Sequence, residues 1–85
     1  MIQRLLLEFA GCLLFFMTIL HTAGKPIAPL TIGGALAVAI FATGGHMNPA
    51  VSAMFFLKDG FPAAELLALV ATQMAAGYVS LKVMG

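Results

Sequence analysis

The chain has 85 residues, 62% of them hydrophobic and only 8% charged, with a net charge of +1 and a mean hydropathy of +1.10. A soluble domain carries roughly a quarter charged residues, so this composition excludes an ordinary water-facing surface. The small net charge and the lack of a basic cluster exclude nucleic acid as a partner, and the single cysteine, Cys12, excludes an internal disulfide.

A spanning helix needs roughly 20 mostly apolar residues, and the chain has room for about three. In chain order, the first apolar run predicts a helix over about 2–22, with Arg4 near its start and His21 at its interfacial end. Cys12 lies inside this run beside Gly11 and reads as a small packing residue. The run after Arg4 that ends His21-Thr22-Ala23 also has the outline of a secretory leader; cleavage there would discard Glu8, so the helix reading is preferred. Ala23-Gly24-Lys25-Pro26 predicts a turn, and a second helix follows over about 29–43. A stretch that is small and polar then intervenes, Gly44-Gly45-His46-Met47-Asn48-Pro49-Ala50-Val51-Ser52. A third apolar segment starts at Pro49 and stops at Lys58-Asp59-Gly60. The fourth helix is predicted over about 62–84, with Pro62 and Glu65 in its first turn, where both are favoured. Ala64, Ala68, Thr72, Ala76 and Ser80 recur along it at i+4 as a stripe of small residues, the kind that lets membrane helices approach closely.

The third segment is too short to cross. About ten helical residues rise about 15 Å, half of a hydrocarbon core of about 30 Å. Asn48 is a preferred N-cap and Pro49 is favoured at the first helical position, so a half-helix over 49–58 begins at Asn48. An interfacial helix would need a polar face, and residues 49–57 carry no charge. The alternative is a re-entrant loop, 44–48, that enters the membrane and directs the positive end of the half-helix at the midplane. Irregular backbone is tolerated at that depth only where protein buries it or a water-filled cavity solvates it. The fold expected is therefore an all-α membrane protein, a single unit of three transmembrane helices and one re-entrant half-helix.

The stretch Gly44–Ser52 resembles the first Asn-Pro-Ala loop of the aquaporin (major intrinsic protein) family. Glu8-Phe9-Ala10-Gly11 resembles the Glu-Phe-x-Gly of that family's first helix, Gly33–Val38 its second helix, and Gln73 the Ala-Gln often found in its third. The resemblance covers nearly the whole chain, as one of the two inverted three-helix repeats of a family member. It implies that Gly44, Gly45, His46, Met47, Asn48, Pro49, Ala50 and Val51 line or shape a pore. It also implies that Glu8 is buried and accepts hydrogen bonds from the loop, with Gln73 supporting it. The family's second motif usually ends in an arginine that forms the outer filter; here Val51 follows Ala50, which opens the reading to small neutral solutes beside water.

One repeat does not enclose a pore, so conduction requires a second half: an antiparallel copy of this chain, or a separately encoded half-channel, within a higher oligomer. Lysine and arginine asymmetry sets orientation. In the family's orientation Arg4 and Lys58 oppose Lys25 and Lys82, two against two, a balance that permits insertion in both senses. An ionisable residue inside an apolar helix is a functional hypothesis by default, which places Glu8 first among the candidates. No nucleophile–base set, metal-ligand cluster or phosphate loop occurs, so no enzyme, cofactor or metal is expected. Two functions follow for an integral, multi-pass membrane protein. One is a passive channel for water or small neutral solutes built from half-aquaporin subunits. The alternative is a structural membrane subunit that keeps the repeat fold without transport.

Overall fold

Residues 1–85 are described by a computed structural model with four helices and no strand: α1 Ile2–Thr22, α2 Ala28–Thr43, α3 Pro49–Asp59 and α4 Ala63–Met84. Local chemistry sets most of these limits. The turn after α1 passes through Gly24 at φ 82, and Pro29 lies in the first turn of α2, where its missing N–H loses nothing. Thr31 donates to Thr22 across this turn at 3.0 Å. The left-handed glycines Gly44 (φ 67) and Gly60 (φ 70) end α2 and α3, the C-terminal device that glycine adopts without a steric penalty. Asn48 caps α3, its Oδ1 accepting from the Ala50 amide at 2.7 Å.

α1 and α4, 21 and 22 residues long, are each long and apolar enough to cross a membrane; α2 is apolar but has 16 residues. α1 is the centre of the packing, touching α2 on one side and α4 on the other, while α3 packs on α4. Arg4 meets Glu65 and Glu8 meets Gln73, so α1 and α4 run in the same direction. Thr31 pairs with Thr22, and a Cβ at Gly11 would lie 3.2 Å from Thr43. α2 therefore runs back along α1 and stops level with Gly11, well short of the end at which α1 began.

The interior inverts the usual distribution. Of 11 buried residues, five are polar or charged: Glu8, Thr22, Ser52, Gln73 and Ser80. Large apolar side chains instead face outward, Phe41 at 94% exposure and Leu57 at 81% being the extremes. The small core joins Cys12, Ala39, Met47 and Ala76, flanked by Phe9, Leu13, Phe15, Phe16 and Leu36.

The small-residue stripe on α4 is only partly a packing surface. Ala76 and Ser80 are buried, Ala68 and Thr72 half-buried, and Ala64 exposed. At about 100° per residue, each i+4 step advances about 40°, so Ala64 and Ser80 lie about 160° apart around the helix. The face that packs is Leu69, Gln73, Ala76 and Ser80, whose mixed steps of four and three hold one side.

Candidate functional site

Glu8 organises the loop between α2 and α3. It sits two turns into α1 and is 1% exposed. Its Oε1 accepts from the Met47 amide at 2.8 Å and from Gln73 Nε2 at 2.9 Å. The His46 amide reaches both carboxylate oxygens, at 3.1 and 3.0 Å. Two successive main-chain N–H groups thus converge on one carboxylate. Without it both would be unpaired donors, the Met47 amide buried and the His46 amide part-buried, an expensive state.

Two local features bend the chain into this position. Thr43 donates to the Ala39 carbonyl at 2.7 Å and accepts from the Gly45 amide at 3.1 Å, holding the exit from α2. Met47 adopts φ 63, the only positive φ at a non-glycine residue. A conformation of that kind persists only where its surroundings over-determine it. Here the Met47 side chain is buried to 1%, its sulfur accepting from the Cys12 thiol at 3.7 Å. Gly45 makes the close approach possible: a Cβ there would collide with Glu8 Oε2 and come within 2.5 Å of Met47 Cε.

A second layer of bonds ties this centre to α3 and to the start of α1. Gln73 Nε2 also donates to Ser52 Oγ at 2.8 Å, and His46 Nδ1 lies 2.8 Å from the same oxygen. The His46 ring stacks on Phe55, centroids 5.1 Å apart at 17°. His46 Nε2 faces Arg4 Nη2 at 3.3 Å, and Arg4 Nη1 reaches Glu65 at 3.4 Å. Gln73 stands halfway along α4. Its bond to Ser52, in the first turn of α3, therefore sets the start of α3 level with the middle of α4.

A groove of about 550 Å³ borders the loop, lined as well by Phe15 of α1, Leu36 and Ile40 of α2, and Val51, Phe55 and Asp59 of α3. Of the residues the sequence assigns to a pore, Gly44, Gly45, His46, Met47, Asn48 and Val51 border this groove. Pro49 does not; it borders a second hollow, of about 430 Å³, with Phe16, Gln73, Met74, Gly77, Tyr78 and Leu81. Ala50 borders neither and is exposed beside the tip of α3. The Met47 side chain is a core residue, so its part in the groove wall is that of packing and backbone. Glu8 and Gln73, assigned to loop support, meet directly.

Sequence reasoning missed Ser52, Arg4 and Phe55. The signal was there: Ser52 follows Asn48, and Arg4 precedes Glu8, by four residues, the spacing that puts helical neighbours on one face. What the sequence lacked was the turn of α4 that would meet them. Comparison of the chain with protein-family models, curated proteins and solved structures gives no match.

Proposed function

We propose that this chain is one half of a passive membrane channel for water or small neutral solutes, completed by an antiparallel second copy. On this reading α1, α2 and α4 span the bilayer and α3 is a re-entrant half-helix. Three features support the membrane setting. Burial of polar groups under an apolar exterior is the arrangement lipid favours; Glu8, Thr22, Ser52 and the Gln73 amide nitrogen have internal partners, while Gln73 Oε1 and Ser80 Oγ have none. The longest dimension of the molecule is 40 Å, close to a bilayer of about 40–45 Å with its headgroups. The loop Gly44–Asn48 meets α1 at Glu8 and Cys12, inside the length of that helix, where exposed backbone is tolerated only beside protein or water.

One observation carries the channel reading. The Asn48-capped start of α3 is fixed level with the middle of α4 by Glu8, Gln73 and Ser52, beside a groove that Asn48 itself lines. A helix N-terminus presents partial positive charge and free N–H groups, which suits the oxygen of a neutral solute and opposes a cation. α3 has 11 residues, about 17 Å, so one copy reaches the middle and an inverted copy would complete the path.

The test is osmotic shrinkage of vesicles holding the purified protein, followed by light scattering in sucrose and then in glycerol. Protein-containing vesicles are expected to shrink several-fold faster than empty ones, with no accompanying cation current. A folded, vesicle-inserted protein that changes neither water nor glycerol flux would contradict the proposal and leave the scaffold reading.

A further inference from the structure

Arg4 occupies an unusual place for a charged residue in so apolar a chain. It reaches away from its own helix to two others at once, Glu65 on α4 and the His46 ring beside α3. A guanidinium has five N–H groups, no acceptor, and does not deprotonate in proteins. Its contact with His46 Nε2 therefore has one sense: Arg4 donates and Nε2 accepts. A neutral imidazole with an accepting Nε2 carries its proton on Nδ1. That nitrogen is 2.8 Å from Ser52 Oγ, so the His46 proton goes to Ser52, whose oxygen also accepts from Gln73 Nε2.

We propose that Arg4 is a positioning residue that holds His46 as the neutral Nδ1–H tautomer, both ring nitrogens engaged by residues that do not line the groove. Neither Arg4 nor Ser52 borders the groove, whereas His46 does. Phe55 covers one face of the ring. With Nδ1 on Ser52 and Nε2 on Arg4, His46 offers the groove no unpaired ring nitrogen. A histidine at a channel mouth is otherwise a ready proton relay; here its second-nitrogen partner fixes tautomer and orientation, as a hydrogen-bonded partner does for ligating histidines. The charged groups around it are Arg4 and Glu8 from α1, the latter bound to the His46 amide, Glu65 behind Arg4 from α4, and Lys58 and Asp59 from α3, with Lys58 lying over the Phe55 ring at 5.7 Å.

The tautomer assignment rests on geometry alone; its consequence for transport rests on the channel reading, and two measurements keep them apart. The first is nitrogen–proton correlation spectroscopy of protein labelled at histidine, in micelles. His21 and His46 are the two histidines, told apart with His21→Gln. Wild type is expected to show His46 Nε2 as the unprotonated nitrogen. Arg4→Met is expected to move the proton toward Nε2, and Arg4→Lys, which keeps a charged donor, to restore the wild-type pattern in part. Protection of the His46 and Met47 amides from exchange verifies that each variant keeps its loop. Protonated Nε2 in wild type, or a tautomer indifferent to Arg4→Met with the loop intact, overturns the proposal. The second measurement is the ratio of proton to water flux in vesicles, expected to rise several-fold in Arg4→Met. An unchanged ratio, with water flux present and the tautomer shifted, overturns the shielding role, whereas absence of water flux in wild type refutes the channel itself.

Discussion

Replacing Glu8 by alanine removes the acceptor around which the loop folds. Three donors lose their partner: the His46 and Met47 amides and Gln73 Nε2. Gln73 Nε2 keeps its bond to Ser52, so the two amides carry the damage. A buried donor left unpaired costs about 1–3 kcal/mol, which gives roughly 2–6 kcal/mol for the pair, set against about 5–15 kcal/mol for a whole domain. Glu8→Gln keeps the shape and one carbonyl oxygen but turns an NH2 toward a donor, and should lose about 1.5–3 kcal/mol, the value of one bond to a charged group. The expected order of stability is wild type, then Glu8→Gln, then Glu8→Ala. Equilibrium unfolding in mixed micelles measures the order, and hydrogen exchange at the His46 and Met47 amides locates its cause. A Glu8→Ala protein within about 1 kcal/mol of wild type, with both amides still protected, would refute the reasoning.

Gly45→Ala should destabilise by about 1–3 kcal/mol, the usual penalty of overpacking, because its methyl group meets Glu8 and Met47 Cε; the same unfolding titration measures it. Gly33→Ala, with nothing within 4 Å of the added carbon, should cost nothing measurable there, and serves as its control. Asn48→Ala removes the cap on α3 and should cost about 0.5–2 kcal/mol, while slowing vesicle shrinkage at equal protein content. Ser52→Ala takes away the shared acceptor of Gln73 and His46. Its expected signature is a shifted His46 Nδ1 resonance with Nε2 still unprotonated opposite Arg4, and the Glu8-bound amides still protected.

The helix limits were legible because capping chemistry is local: Asn48-Pro49 and Gly60 bracket α3 as they would in any context. The burial of Glu8 was legible for a different reason, since an ionisable group in an apolar helix needs partners. Which partners was harder to read. The i+4 spacings of Arg4 to Glu8 and Asn48 to Ser52 put each pair on one face; only the resemblance pointed to Gln73 as a partner of Glu8, and no spacing pointed to its bond with Ser52 or to the contact of Arg4 with His46. The stripe from Ala64 to Ser80 shows the same limit from the other side. A run of i+4 steps looks like one face on paper and winds off that face in an actual helix. Met47 was illegible for a further reason. Its left-handed backbone is set by tertiary packing against Cys12, Gly11 and Gly45, against the ordinary preference of a long side chain.

The most direct test of a channel made from two inverted copies separates orientation from flux. Two or three lysines added beside Lys58 should bias insertion one way, and the same number beside Lys25 the other way, with reporters fused after Gly85 recording the side. Each biased variant alone is expected to insert, fold and conduct nothing, because its half-helices all enter from one leaflet. Vesicles carrying both variants should regain the wild-type rate of water flux. A single biased variant that conducts as fast as wild type, with its C-terminus on one side only, would contradict the account.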